Sequence, residues 1–335
     1  MPRAVLIVEQ AGPLTTIQDA GRPGHMRHGV TASGPVDRPG FAAAHAALGN
    51  EPGGAAVELS HGGITLRCIE GEVGFALAGG DFAARVDADS LGSWTTGILR
   101  PGSRLTIRDG MHGNWATLAF AGSIDCRRWL GSAATLALAG LGGGRLVAGD
   151  TITIDADPVG ENASWHYPEP PAETGPVRIV LGPQQQFFAA ESIEALLSQP
   201  FAAAPAFDRM GMVLDGPSLP PLSVTMLSAP LLRGAIQVNG VGAATILLAD
   251  HQTTAGYPRI ATVISADIDR AAQHRPGETL RFAAVDVAEA IAIARRKAAA
   301  SAGYLRLLAA GQGSLAERLF SANLIDGVVD GRELS

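Results

Sequence analysis

Between Leu247 and Ser265 the sequence reads LLADHQTTAGYPRIATVIS, and Asp250, His251, Gln252, Thr253, Thr254 and Tyr257 crowd into its centre. Apolar runs flank them on both sides, as buried strands would. Gly256 and Pro258 suit a turn, yet a hairpin needs only about two to five connecting residues and none of these polar types. Polar groups beside a core are costly unless paired, so the cluster either pairs internally or faces a ligand. Carboxamides and hydroxyls can donate to a carbonyl oxygen, and Asp250 can accept an N–H or act as a base. Gln237, inside the apolar stretch GAIQV (234–238), makes the same demand, because an unpaired buried amide costs about 1–3 kcal/mol. Asp250 or a ligand is its expected partner.

Two segments near the start add further candidates. TTIQDAGRPGH (15–25) sets Gln18, Asp19 and Arg22 beside glycines, and SGPVD (33–37) adds Ser33. The simpler reading of the first is an Asp19–Arg22 pair stiffening a Gly-Pro loop. Ser33 lacks the GxSxG context of a nucleophile elbow. In FDRMGMVLDGP (207–217), Asp208 and Arg209 read as a salt bridge bracing a turn. A guanidinium such as Arg209 or Arg22 can also hold a carboxylate or phosphoryl group bidentately.

Several functions are excluded. Lys297 is the only lysine among 25 Lys and Arg residues, and it falls at the end of an expected surface helix. A Walker A loop and a biotin-carrying Met-Lys turn are therefore absent. ALAGLGGGRL (137–146) puts Arg145 at the last glycine position of the dinucleotide fingerprint and has no βαβ surroundings. A net charge of −7 without a basic tract argues against nucleic acid. The eight histidines and two cysteines show no metal-ligand spacing, so no metal site is expected. No apolar run is long enough for a membrane span, and MPRAVLIVEQAG is too short for a signal peptide. Isolated cysteines suit a reduced, cytoplasmic protein.

The elements that must position these residues are mostly strands. With 42 Gly and 21 Pro, the composition predicts a mainly β protein with a few helices. PGSRLTI (101–107), AGDTITI (148–154) and PGETLRF (276–282) each pair a glycine turn with an alternating strand, and the last two would each close a domain. DADPVGENASWHYPEPPAETGP (155–176), with five prolines, reads as an exposed linker. The expected division is a barrel domain over 1–155, a linker over 156–176, a second barrel over 177–285 and a helical tail over 286–335. Helices are predicted over FAAAHAAL behind an Asp37 N-cap, over about Ala189–Ser198, and after Asp286. SLAE (314–317) predicts a capping box for one more.

Taken in order, TTIQDAGRPGH, VTASGPVD, VELSHGGITLR, LGSAATLALAGLGG, FDRMGMVLDGP, GAIQV and LADHQTTAGYPRIATVISAD resemble the family of the 5-oxoprolinase C subunit, also called KipA or allophanate hydrolase subunit 2. The family usually has Arg at His251 and Gly at Ala255, an aromatic at Met212, and a proline-containing turn where Asn239–Ala243 stand. The resemblance implies two cyclophilin-like β-barrel domains plus C-terminal helices. It also implies two partners, the B and A subunits, in ATP-dependent opening of 5-oxoproline to glutamate. The ATP site is then either unorthodox or, as the expected arrangement, shared with the B subunit, since no motif here binds nucleotide alone. The related carboxyltransferase of urea carboxylase, using carboxybiotin in trans, is the alternative, with a KipA-like regulatory module as a third. Lactam, urea and biotin share a CO–NH group. Gln237, Gln252, Thr253 and Thr254 are its expected donors, Asp250 or Asp19 the acceptor or base, and Tyr257, Arg209, Arg22, Gln18 and Ser33 further binding residues.

Overall fold

Glycine turns followed by alternating strands build two barrel-like units in the computed structural model, which describes residues 2–158, 165–171 and 173–310. In the first unit Arg3–Ala11 runs antiparallel to both Thr151–Ala156 and Ile64–Glu70. These strands belong to a seven-stranded sheet that packs on a five-stranded one. Ala116–Phe120 of the smaller sheet passes into Gly122–Asp125 of the larger through Ala121 alone. Gly122 makes that corner at φ 108°, where a Cβ would meet the Asp155 carbonyl oxygen at 2.1 Å, so only glycine fits. Along Arg104–Asp109, Leu105 and Ile107 point inward while Arg104 and Arg108 point out, the period of two that a half-buried strand requires.

The second unit is an eight-stranded sheet. Thr279–Leu280 pairs with Phe201–Phe207 at one border, and Phe282–Ala284 pairs with Val177–Leu181 at the other. Only Arg281 separates these two short strands, so one stretch of chain borders both ends and nearly closes the sheet into a barrel. Ile236, Val238, Ile246, Met212 and Leu214 fill its interior, together with Val36 and Trp115 from the first unit. The two units are thus packed against each other.

Four α-helices lie among the described residues. α1 (Arg38–Leu48) begins at Asp37, whose Oδ1 accepts the Gly40 N–H at 3.1 Å, and ends at Gly49 in the left-handed region. α2 spans Ala190–Ser198 and α3 spans Ile268–Ala272. α4 (Val287–Ala310) starts at Asp286, whose Oδ1 accepts the Glu289 N–H at 2.7 Å. Its Ile293 packs with Ile264 and Ala266 of the second unit, whereas Leu308, Tyr304 and Leu305 pack beside Phe41 and Trp94 of the first and Tyr167 of the connector. One helix therefore straps both units. No helix among the described residues is long and apolar enough to cross a membrane.

Two local expectations change. Lys297 sits mid-helix rather than at a helix end, with its Nζ donating to the Ala266 carbonyl. The proline-rich connector is packed at Trp165–Tyr167: the Tyr167 hydroxyl donates to the Leu77 carbonyl at 2.6 Å, and the Trp165 N–H donates to Thr96 Oγ1 at 3.0 Å. Aromatic rings give it an anchor that proline content alone does not reveal. The SLAE capping box lies outside the described residues.

Candidate functional site

Arg209 follows the strand Phe201–Phe207, and its guanidinium is buried at the junction of the two units. Its Nε and Nη2 donate to the Asp250 carboxylate at 2.8 and 3.1 Å, and Nη1 donates to Glu58. Nη2 also donates to the Gly34 carbonyl at 2.6 Å, and the second Glu58 oxygen accepts the Val36 N–H at 2.6 Å. Burial alone would lower the Arg209 pKa; Asp250 and Glu58 outweigh it and raise the value above its ordinary range. The expected Asp208–Arg209 bridge is not formed, because Glu58 and Asp250 take the guanidinium. With Asp250 held in this ion pair, it is also not the partner of Gln237.

Asp19 closes a second buried bracket. Its carboxylate accepts from Gly21 N at 2.9 Å, Ser132 Oγ at 2.6 Å, Ala133 N at 2.6 Å and Ala134 N at 3.1 Å. Arg22 donates to Ser33 Oγ at 3.1 Å and to the Ala134 carbonyl, and lies over the Trp129 ring. Gln18 Nε2 donates to Thr16 Oγ1 at 2.9 Å and to the Thr135 carbonyl at 3.2 Å. Asp19 and Arg22 thus each fasten the 132–135 loop rather than pairing with each other; Arg209 is engaged through all three nitrogens and Arg22 through Nη1 and Nη2, its buried Nε alone lacking a partner among the described residues.

An open cavity of about 490 Å³ lies on the outer face of the second barrel. Alternation puts it there: Ile236 and Val238 face the core, so Gln237 between them faces out, directly across from Thr245. Val213 and Gly211 continue the floor, and a Cβ on Gly211 would meet Thr245 Cγ2 at 2.9 Å. Phe207, Met210 and Leu247 provide apolar wall, while Asp208, Asn239, Gln252 and Tyr257 bring polar groups. Gln237 Nε2 reaches only the Tyr257 carbonyl, at 3.4 Å, a long contact that leaves the amide largely free for a ligand.

Of the polar stretch, Gln252 and Tyr257 join Gln237 at the cavity. Thr254 pairs with Pro230 in a short ladder, and the Thr253 carbonyl accepts the Leu231 N–H at 3.0 Å, so neither threonine lines it. His251 is buried with its Nδ1 2.6 Å from the Gln252 carbonyl oxygen. Burial lowers its pKa, which favours a neutral ring. Phe207, Met210, Asn239 and Thr245 were not foreseen; Asn239 at two residues from Gln237 carries the same period-two signal. Among the described residues no group of three His, Cys, Asp or Glu side chains is placed to hold a metal.

These features define a mainly β protein of two packed barrel-like units with an amide-lined cavity on the second. Residues 28–284 match the family model described as carboxyltransferase domain, subdomain A and B. The chain is 32% identical to the 5-oxoprolinase C subunit of Escherichia coli over 295 residues, 86% of this chain and 93% of that protein. It is also 32% identical to the 5-oxoprolinase C subunit of Haemophilus influenzae, over 84% of this chain and 91% of that one. Among solved structures, that of TTHA0988 superposes with a TM-score of 0.75 at 33% identity, over 84% of this chain but 55% of that longer one. The Kluyveromyces lactis urea amidolyase shares the fold, with a TM-score of 0.80 at 23% identity over 91% of this chain and 20% of that protein. The chain belongs to the carboxyltransferase-domain family in which the 5-oxoprolinase C subunit is found, as its motifs lead one to expect.

Proposed function

We propose that this chain is the C component of an ATP-dependent 5-oxoprolinase, acting with B and A subunits to open 5-oxoproline to glutamate. The observation that carries this reading is the 32% identity to a 5-oxoprolinase C subunit over 93% of that protein, whereas the urea amidolyase match spans only 20% of its counterpart. The cavity chemistry supports it. Gln237, Gln252 and Tyr257 offer donors for a lactam oxygen and acceptors for the ring N–H. Asp250 acts as a positioning residue, since its ion pair fixes Arg209 between the lining residues Asp208 and Met210.

The cavity does not fit a triphosphate. Asp208 is its only charged lining residue, and Arg209 and Arg22 are engaged by protein groups. The nucleotide site is accordingly proposed to be shared with the B subunit, which has to bring the cations. A cytoplasmic location is part of the same proposal, in keeping with two unpaired cysteines. Purification with the B and A subunits, followed by assay of ATP-dependent glutamate release, tests the reading. Turnover is expected with all three proteins together and none with this chain alone. Carboxylation of urea in the presence of a biotin carboxylase and carrier, without 5-oxoproline turnover, would replace it with the carboxyltransferase alternative.

A further inference from the structure

5-Oxoproline carries a carboxylate as well as its CO–NH, and the cavity lining has no cationic side chain to pair with it. Asp208 is the one charged residue in the lining. Arg209, its neighbour in sequence, turns away into Asp250, Glu58 and the Gly34 carbonyl. Arg259, across the sheet from Gln237, is engaged by Gln184 Oε1 at 3.2 Å and the Pro230 carbonyl at 2.7 Å. Asp208 is exposed to solvent, and one of its two oxygens is bonded within the protein. Its Oδ1 accepts the Met210 N–H at 2.7 Å and the Gly211 N–H at 3.1 Å. Its Oδ2 has no donor or ion-pair partner among the described residues.

We infer that Asp208 determines which ligands this cavity accepts. Its free oxygen takes an N–H of an uncharged amide, and its charge keeps a ligand carboxylate out. The inference rests on the lactam reading and deepens it: 5-oxoproline enters ring first, its carboxylate stays at the mouth, and the partner protein provides the cation that holds it. A site for the whole substrate is then incomplete on this chain alone.

The test compares 2-pyrrolidinone, a neutral lactam, with L-5-oxoproline by ligand-observed NMR titration. The full chain, alone and in complex with the B subunit, is measured as wild type and as Asp208→Asn. Asparagine keeps the Oδ1 acceptor for Met210 and Gly211, so the turn survives, while the charge is lost and the second oxygen is replaced by an NH2 donor. The wild-type chain is expected to bind the neutral lactam about tenfold more tightly than 5-oxoproline, the scale of one like-charge contact near the surface. Asp208→Asn should close that gap from both sides, strengthening 5-oxoproline as the charge is lost and weakening the neutral lactam as the acceptor is lost, and the B subunit should strengthen 5-oxoproline alone. Equal affinities in the wild-type chain, or a ratio unchanged in Asp208→Asn, overturn the role of Asp208 and leave the lactam reading standing. If neither lactam binds the chain or the complex, the lactam reading itself fails and takes this role with it.

Discussion

Gln252 and Arg209 carry opposite consequences when changed. Gln252 is exposed at the cavity and its side chain makes no hydrogen bond within the described fold. Replacing it with Leu is expected to leave stability within about 0.5 kcal/mol and to abolish glutamate release in the reconstituted complex; surviving turnover would return Gln252 to an ordinary loop residue. Arg209→Met should do the reverse at the level of folding. It strands the Glu58 and Asp250 carboxylates, both buried, and a broken buried ion pair costs about 3–5 kcal/mol. Urea unfolding should show that loss; a shift below about 1 kcal/mol would mean the pair is not the junction's anchor. The sequence required Gln237 and Gln252 to find a partner or a ligand, and both side chains line the cavity. It could not announce that Arg209 reaches a carboxylate 151 residues away. Local spacing carries no signal for such a partner, which is why Asp250 looked free.

Strands and helix caps were legible because their signals are local. Glycine turns, period-two alternation and the Asp37 and Asp286 caps all recur in the structure at the residues that suggested them. The barrel closure through Arg281 and the strap made by α4 were not legible, since each depends on which distant surface a segment meets. The strap gives a sharp contrast between neighbours. Leu308 is 2% exposed against the Phe41–Trp94–Tyr167 cluster, and Leu307 beside it is 73% exposed. Leu308→Ala is expected to cost about 2–5 kcal/mol and to lower the melting temperature by several degrees. Leu307→Ala should change it little. Equal melting temperatures for the two variants would show that the end of α4 does not hold the first unit.

The two units meet through charge as well as apolar contact, and this gives the molecule a dependence on pH. Arg38 reaches Asp269 at 2.8 Å, and Gln273 Nε2 reaches Asp37 Oδ2 at 2.9 Å, both across the junction. Burial pushes the Asp269 carboxyl up, but Arg38 and Arg233 outweigh it, so its pKa is lowered from 3.8. Asp37 differs: burial first, and the charge of Asp269 second, raise its pKa from 3.8 to about 7. Between those two values the folded chain keeps a proton on Asp37 that the unfolded chain releases. Stability from this group therefore falls as pH rises from about 4 to about 7, by at most about 1.4 kcal/mol per pH unit, and changes no further above it. The Asp269 contribution is lost in the opposite direction and below pH 3.8, so the two windows separate. Asp37→Asn keeps an oxygen to accept the Gly40 N–H and removes the ionisation. Its unfolding free energy should therefore decline less than that of the wild type between pH 5 and 7, measured by urea denaturation in matched buffers. Parallel curves across that window would rule out Asp37 as a titrating group of the junction, whatever the absolute offset between them.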